Sequence, residues 1–234
     1  TAASIFLPLT YIRARDPDAM VVVFPSDHFV HPEGDYLDVV RHAVRTSERL
    51  TDRLVLLGVP PDRLELDYSW IERGLPLQGG SDPQVESVRS FMDKPSITQA
   101  DAAHHAGALW NTLVFAARID LLWSLGRQCF PEMMSLFESL GQAIETPEEG
   151  HLLEEIYRAM PARNFASDLL QRVPEHLAVV ELAGVLWNDW GKPERIIETI
   201  RRINRSPAFP LSCLDRPFVP IPFLSEQRVA PAPA

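Results

Sequence analysis

The stretch AMVVVFPSDH at residues 19–28 indicates the fold class of this 234-residue chain. Its first six residues form an apolar run, rich in β-branched side chains, that stops at Pro25 and predicts a buried parallel strand. Residues 36–50 show the apolar spacing of an amphipathic helix. LVLLGV at residues 54–59 is a second apolar run, which ends at Pro60. Strand, helix and strand in this order form a βαβ unit, so the sequence predicts an α/β domain.

The same reasoning extends the prediction to both sides of this unit. A helix that contains Pro8 is predicted for residues 2–12. A turn at Gly79 and Gly80 is expected between two strands. The other predicted elements are strands at 68–72, 85–93, 108–117 and 177–182, a short polar segment at 101–106, and helices at 119–125, 131–144, 148–160 and 193–203. Residues 1–204 are expected to form one domain, and the proline-rich residues 205–234 a tail without a core of its own.

Composition excludes several classes of protein. The formal net charge of -10 gives no indication of a nucleic-acid surface. Cys129 and Cys213 are too few for a disulfide framework or a metal cluster and favour a reducing compartment. No apolar run reaches the roughly 18 residues of a spanning helix, and no signal-peptide pattern opens the chain. We therefore expect a cytoplasmic protein that binds neither nucleic acid nor membrane.

Two aspartates follow predicted strands, where open parallel sheets bind their ligands. Asp27 comes after the first apolar run, and Asp189 lies in WNDWG at residues 187–191. Mg²⁺ prefers a few carboxylates together with phosphate oxygens, so the pair is a candidate metal site. Position alone leaves the alternative open that Asp27 caps a helix or lies in a loop. Taken alone, the two tryptophans of WNDWG are more typical of residues that pack in the hydrophobic core or cover it.

Short sequence blocks along the chain occur in a specific order. They are TAA at residues 1–3, PSDH at 25–28, GVPP at 58–61 followed by YSWIE at 68–72, FMDKP at 91–95, WNT at 110–112 and WNDWG at 187–191. In this order they resemble the motifs of the mannose-1-phosphate guanylyltransferases, which are sugar-1-phosphate nucleotidyltransferases. Each block is weak alone, but together they cover roughly residues 1–203, which makes the resemblance specific.

The resemblance implies a Rossmann-like α/β fold of the nucleotide-diphospho-sugar transferase type, with a mostly parallel, mixed sheet flanked by helices. It implies a reaction that joins a sugar 1-phosphate to a nucleoside triphosphate and releases pyrophosphate, with mannose 1-phosphate and GTP favoured. Asp27 and Asp189 would bind Mg²⁺, and Lys94 would neutralise the sugar phosphate. The residues implied to contact the substrate are Tyr68, Glu72, Asp93, Asn111 and Thr112. Whether the protein forms a homo-oligomer is left open.

These roles fit the chemistry, since attack of one phosphate on another brings anions together that a metal and a lysine must screen. Without the resemblance, Lys94 is more typically a solvated lysine and Glu72 an exposed strand-end acid. For Asn111 a contact with a ligand and a purely structural role both stay open, because an amide inside a strand needs partners.

The sequence also departs from the family pattern. The family begins with a strand and a glycine-rich loop, G-G-x-G-T-R-L, whose amides hold the triphosphate; this sequence contains no such cluster. We therefore expect the first strand of the sheet to be missing, and the chain from Thr1 to be a fragment or a processed form. Asp67 and Ser69 stand where the family has glycines, and Asp93 is one methylene shorter than the family's glutamate.

Two other hypotheses remain open at this point. One is a catalytically degenerate homologue that binds sugar phosphate or NDP-sugar as a regulatory or sensing module. The other is an unrelated doubly wound domain in which the matching blocks arose by chance.

Overall fold

The structure is a computed structural model, and it describes residues 1–77 and 85–213. The strands are β1 (Met20–Val23), β2 (His28–His31), β3 (Leu54–Val59), β4 (Trp70–Pro76), β5 (Val85–Met92), β6 (Leu109–Arg118), β7 (Leu177–Glu181) and β8 (Leu186–Asp189). The helices are α1 (Ala2–Arg15), α2 (Glu33–Arg49), α3 (Ile97–His105), α4 (Ile119–Cys129), α5 (Pro131–Ala143), α6 (Glu149–Ala159), α7 (Phe165–Asp168) and α8 (Pro193–Arg202), with short 3-10 turns at Leu170–Arg172, Pro174–His176 and Leu211–Cys213.

A six-stranded mixed sheet in the order β1-β6-β3-β7-β5-β4 organises the fold. The first residues of β4 also pair with the beginning of β6, where Trp70 lies opposite Trp110. β2 and β8 form a separate two-stranded sheet. The predicted α/β class with a mixed sheet is confirmed. Its parallel part is smaller than predicted, because within the described strands of the larger sheet only the ladder between β3 and β7 is parallel.

β1 differs from the prediction of a buried parallel strand. It pairs antiparallel with β6 and lies at an edge of the sheet, and only Val21 of its four residues is buried. β3 also pairs antiparallel with β6, so β1 and β3 run in the same direction with β6 between them. The predicted strand-helix-strand order is therefore present, but β1 has a single neighbour, which leaves its residues more exposed than those of a central strand.

The strand predicted from the second apolar run is confirmed: β3 has the predicted bounds, and all six of its residues are buried. Leu54 and Leu56 belong to one core cluster, which they share with residues of α1, α4 and α5. Val55 and Leu57 belong to a second cluster, which they share with residues of α2 and α3. Successive side chains of a strand point to opposite faces, so a sheet covered on both faces needs this continuous apolar sequence.

The helices predicted from apolar spacing are confirmed, and α1 continues beyond its predicted end to Arg15. The prediction of a separate short polar segment at residues 101–106 is wrong, since these residues lie in α3 or directly after it. Ser96 and Gln99 form a reciprocal capping box that starts α3. The turn predicted at Gly79 and Gly80 and most of the predicted tail lie outside the described residues.

By its internal contacts, the chain divides into two compact units. The larger unit comprises Thr1–Ser26 and Val30–Trp187 and contains the six-stranded sheet. Within the described residues, the smaller unit comprises Asp27–Phe29 and residues 188–213, including α8. Among residues 1–77 and 85–213, no helix has the length and apolar character needed to cross a membrane. The domain boundary predicted after residue 204 stays a prediction.

Candidate functional site

The smaller unit brings together the two aspartates that were predicted as metal ligands. Asp27 lies in the loop before β2, and Asp189 is the last residue of β8 rather than a residue after the last strand. Both carboxylates approach Gly191: a Cβ atom on this glycine would lie 2.7 Å from Asp189 Oδ1 and 3.6 Å from Asp27 Oδ2. Backbone pairing supports this arrangement, because the Trp190 N–H donates to the Asp27 carbonyl over 2.7 Å.

Two donors hold the carboxylate of Asp189. Arg195 Nη1 donates to Asp189 Oδ2 over 2.8 Å, and the Gly191 N–H donates to Asp189 Oδ1. The Arg195 side chain is only 8% exposed, whereas that of Asp189 is 25% exposed. A carboxylate offers about four lone-pair positions, so two donors leave capacity for a further ligand.

A buried network of hydrogen bonds fixes the backbone on both sides of Asp189. Thr199 Oγ1 accepts from Asn188 Nδ2 over 2.9 Å and from Trp190 Nε1 over 3.1 Å, and it donates to the Arg195 carbonyl over 2.8 Å. The Trp190 ring stacks on Phe29 with 5.2 Å between centroids. This network anchors the β8 end to α8, and it explains how a polar WNDW sequence can be largely buried.

His28 lies next to this pair of carboxylates. Burial lowers the pKa of His28, and this effect outweighs the nearby Asp27 and Asp189, which act to raise it. The imidazole is therefore neutral at pH 7 and adds no positive charge beside the two aspartates.

The donor set around Gly191 fits a divalent cation with oxygen ligands. Two carboxylates face a position that has no side chain because the residue there is glycine. Mg²⁺ is typically bound through one or two carboxylates, with waters and substrate phosphates completing its octahedral shell. No group of three or more His, Cys, Asp or Glu side chains suited to a metal occurs in the part of the chain that the structure describes.

In the larger unit, Asn111 and Thr112 form an irregularity at the start of β6. Leu113 adopts a φ of 58°, and the ladder between β3 and β6 shifts its register between Leu56 and Gly58. Asn111 Oδ1 accepts from the Leu113 N–H over 3.1 Å, and Thr112 Oγ1 donates to the Leu57 carbonyl over 2.7 Å. Such bulges redirect side chains, often next to active sites.

Asn111 thus uses its carbonyl oxygen in the bulge. Its amide Nδ2 donates to no described residue, although the residue is only 8% exposed. A buried amide donor normally has a partner, so this group is available to a ligand. Thr112 is held by two structural hydrogen bonds, since its hydroxyl also accepts from the Val114 N–H.

Asp93 and Lys94 lie just after β5. Ser69 Oγ donates to Asp93 Oδ1 over 2.8 Å, so the serine that replaces a family glycine orients this carboxylate. Lys94 has a φ of 49° and an exposed side chain, and no carboxylate among the described residues pairs with it. A positive φ is uncommon for lysine, and it occurs here two residues after the end of β5.

Glu72 and Tyr68 have structural partners as well. Glu72 Oε2 accepts from Ser90 Oγ over 2.6 Å and from Arg89 Nε over 3.3 Å. The buried Tyr68 ring packs edge-on against Trp110 and Trp187, at centroid distances of 5.2 and 5.4 Å. Tyr68 therefore belongs to the aromatic core of its unit, and Glu72 is not the exposed strand-end acid that sequence alone favours.

Three residues of the smaller unit were missed by the sequence reasoning. They are Gly191, which leaves room for the carboxylates, Arg195, which pairs with Asp189, and Thr199, which accepts from both neighbours of Asp189. Arg195 and Thr199 are four residues apart on α8, so they share one face of the helix. This spacing of two polar residues, directly after the WNDWG block, is the signal that could have identified them.

Comparison with known proteins agrees with the family resemblance that the sequence motifs indicate. Residues 1–206 match the family described as nucleotidyl transferase. A mannose-1-phosphate guanylyltransferase of Escherichia coli (strain K12) is 26% identical over 196 residues, which are 82% of this chain and 40% of that protein. Mannose-1-phosphate guanylyltransferase ManC of Salmonella typhimurium is 26% identical over 179 residues, which are 75% of this chain and 36% of that protein.

Solved structures support the fold. The crystal structure of mannose-1-phosphate geranyltransferase from Thermus thermophilus superimposes with a TM-score of 0.71 at 23% identity, covering 88% of this chain and 56% of that one. This likeness concerns the fold alone. The chain spans only 36 to 40% of the length of the two relatives above. Because the family match extends over residues 1–206, the chain belongs to the nucleotidyl transferase family.

Proposed function

We propose that the protein takes part in the synthesis of a nucleotide-sugar: a sugar 1-phosphate and a nucleoside triphosphate form an NDP-sugar and pyrophosphate. Mannose 1-phosphate and GTP are the favoured substrates, because the relatives in E. coli and Salmonella are mannose-1-phosphate guanylyltransferases. The observation that carries the proposal is the approach of Asp27 and Asp189 to Gly191. A cytoplasmic location is part of the proposal, since it agrees with the free Cys129 and Cys213.

Asp27 and Asp189 would hold Mg²⁺, which when bound supplies positive charge to phosphate oxygens. Arg195 and the Gly191 N–H keep the Asp189 carboxylate in one orientation before a ligand arrives. A fixed carboxylate reduces the reorganisation needed on binding, and preorganised charge is the main source of catalysis in phosphoryl transfer. No residue is required to remove a proton, since a phosphate oxygen is already a nucleophile.

The sugar phosphate would be bound by residues of the larger unit. Lys94 is an exposed cation without a carboxylate partner among the described residues, and it would neutralise the phosphate. Asn111 Nδ2 would donate to a sugar hydroxyl. The remaining candidates are the carboxylates Asp93 and Glu72, as acceptors from sugar hydroxyls, and Tyr68 and Thr112, which support the binding residues from the core.

A second candidate function is a binding module that senses sugar phosphate or NDP-sugar without catalysis. The observation that favours it is that arginines already occupy two of the carboxylates. Asp189 pairs with Arg195, and Glu72 pairs with Arg89. Arg195 compensates negative charge at Asp189 that a metal would otherwise neutralise, and Arg89 engages the Glu72 carboxylate that would otherwise accept from a sugar hydroxyl.

Release of pyrophosphate distinguishes the two functions. The purified protein is incubated with GTP, mannose 1-phosphate and Mg²⁺, and with each component omitted in turn. The proposed function predicts pyrophosphate only in the complete mixture, and its loss in Asp27→Asn and Asp189→Asn. Asp18→Asn is the matched control, because this aspartate has a side chain 83% exposed and lies outside the candidate residues. Saturable binding of mannose 1-phosphate without pyrophosphate would favour the binding module instead.

A further inference from the structure

A cleft in the larger unit is lined by none of the residues discussed above. It has a volume of about 260 Å³ and lies between α1, α4 and α5, where its walls include Arg13, Trp123, Arg127, Glu138 and Gln142. Its volume is several times the roughly 30 Å³ share of one liquid water. It is below the range of about 300–1,000 Å³ that is typical of sites for drug-sized ligands. The cleft therefore suits a small ion or a small phosphorylated molecule, and it is too small for a whole nucleotide.

Arg13 provides a cation that is held in place within this cleft. Its guanidinium carbon lies 4.7 Å from the centroid of the Trp123 ring, in a cation–π contact. Among residues 1–77 and 85–213, no carboxylate pairs with Arg13 and no acceptor uses its N–H groups. Stacking fixes the plane of the guanidinium but leaves its donors unused, and such a fork matches the oxygens of a phosphate.

Trp123 carries a second unused donor. Its side chain is only 3% exposed, and its Nε1 has no hydrogen-bond partner in the described chain. Buried indole N–H groups usually find an acceptor, but this Nε1 atom is buried without solvent contact, so Trp123 contributes its ring face to Arg13 rather than a donor to the cleft. The second positive group is Arg127, which is paired with Glu138. The cleft side chains thus carry one net positive charge in a chain whose formal net charge is -10.

We propose that this cleft binds a small phosphate-type oxyanion, either orthophosphate or the phosphate group of a small monoester. Arg13 donates two N–H groups to the anion, and the Trp123 ring holds the guanidinium in place. Arg127 contributes from α4 while it remains paired with Glu138. The proposal is independent of the nucleotidyltransferase function, because none of these residues has a role in it.

Arg13 also has an ordinary structural explanation, which a control must separate from binding. It lies in the last turn of α1, where a basic side chain complements the helix dipole. Arg15 lies in the same last turn and is not part of the cleft wall. Arg15→Met therefore removes the same dipole contribution and leaves the proposed site intact.

The test is calorimetric titration of the purified protein with sodium phosphate and, separately, with glycerol 3-phosphate, at constant ionic strength adjusted with chloride. We expect saturable binding to the unchanged protein and to Arg15→Met. Arg13→Met is expected to raise the dissociation constant by about ten-fold, because charge-assisted hydrogen bonds are lost. Binding of glycerol 3-phosphate but not orthophosphate would identify a monoester site. Absence of binding, or equal dissociation constants for Arg13→Met and Arg15→Met, would overturn the proposal.

Further variants keep the test decisive if Arg13→Met does not fold. Arg127→Met changes an exposed residue, and Trp123→Phe places a weaker cation–π partner beside the Arg13 guanidinium; both are expected to weaken phosphate binding several-fold. Lys94→Met and Asp189→Asn show whether phosphate binds in the cleft or at the residues of the candidate functional site. Phosphate affinity that is lost in these two variants and kept in Arg127→Met and Trp123→Phe belongs to the candidate sugar-phosphate residues and contradicts the cleft proposal.

Discussion

Arg195 Nη1 lies 2.8 Å from Asp189 Oδ2, and this ion pair joins the buried face of α8 to the end of β8. The arginine is almost completely buried, and the carboxylate of Asp189 compensates its charge there. The pair links the stability of the smaller unit to the geometry of its candidate metal ligand.

Replacement of Arg195 by methionine should destabilise the smaller unit. Removal of one partner of a fully buried pair costs about 3–5 kcal/mol, and because Asp189 is partly exposed we expect less here, about 2–3 kcal/mol. Urea denaturation measures the change. Arg202→Met is the matched control, since Arg202 pairs with Glu198 on the same helix but is 42% exposed; we expect less than about 0.5 kcal/mol there. Equal effects of the two variants would contradict the structural role of the Asp189–Arg195 pair.

Replacement of Thr199 by valine should leave two buried donors without an acceptor. Asn188 Nδ2 and Trp190 Nε1 both donate to Thr199 Oγ1. A buried donor without a partner costs about 1–3 kcal/mol, so Thr199→Val should lower the free energy of unfolding by at least about 1 kcal/mol. Thr199→Ser retains the hydroxyl and should lose less. If serine and valine are equally destabilising, the hydrogen-bond network is not the cause.

Replacement of Gly191 by alanine tests the space between the two aspartates. The added Cβ would lie 2.7 Å from Asp189 Oδ1, so the carboxylate must move. We expect weaker binding of Mn²⁺, used as a paramagnetic substitute for Mg²⁺, by roughly ten-fold or more, as for changes that disturb ligand orientation. The control is Gly150→Ala on α6, where a Cβ meets no atom within 4 Å. Unchanged Mn²⁺ affinity in Gly191→Ala would remove the support for a metal at this position.

Stability at alkaline pH should depend on Tyr36. Burial raises the pKa of Tyr36 from its ordinary value of 10.0 to about 12. Above pH 10 the unfolded chain loses this proton while the folded chain keeps it, so the free energy of unfolding falls between pH 10 and 12. Urea midpoints measured at several pH values should fall less steeply in Tyr36→Phe, and the same slope as in the unchanged chain would contradict this role. Tyr11, whose pKa is also raised, mainly by burial, contributes in the same direction, so Tyr11→Phe provides the comparison.

The fold could be predicted where burial follows local sequence. β3 was predicted with its observed bounds because both faces of the strand are covered. β1 has an equally apolar sequence, but its place at an edge beside β6 results from pairing between residues far apart in the chain. α3 was missed because its buried residues are alanines, Ala100 and Ala103, which give little apolar periodicity. Non-local pairing and small side chains are therefore the two limits of the pattern argument.

The sequence motifs pointed to residues of the candidate site, but they did not predict which side chains pair with those residues. The motif order identified Asp27 and Asp189, and the structure brings both to Gly191. Arg195 and Thr199 were missed because the helix at residues 193–203 is predicted from Pro193 at its first position, which gives no information on the partners of its polar side chains. Ser69 stands where the family has a glycine, and only the structure shows that its hydroxyl orients Asp93. The type of a residue indicates which chemical role it can have. Its hydrogen-bond and ion-pair partners depend on turns and helix faces, which only the fold defines.

Ligand-dependent thermal stabilisation tests the central claim most directly. The melting temperature of the protein is measured with mannose 1-phosphate and with GDP-mannose, each with and without Mg²⁺, for the unchanged chain and for Asp189→Asn. A ligand present at about 100 times its dissociation constant adds roughly 2.7 kcal/mol to the native state. The account predicts a rise in melting temperature that requires Mg²⁺ and disappears in Asp189→Asn. No rise with either ligand, or a rise that is the same without Mg²⁺ and in Asp189→Asn, would contradict it.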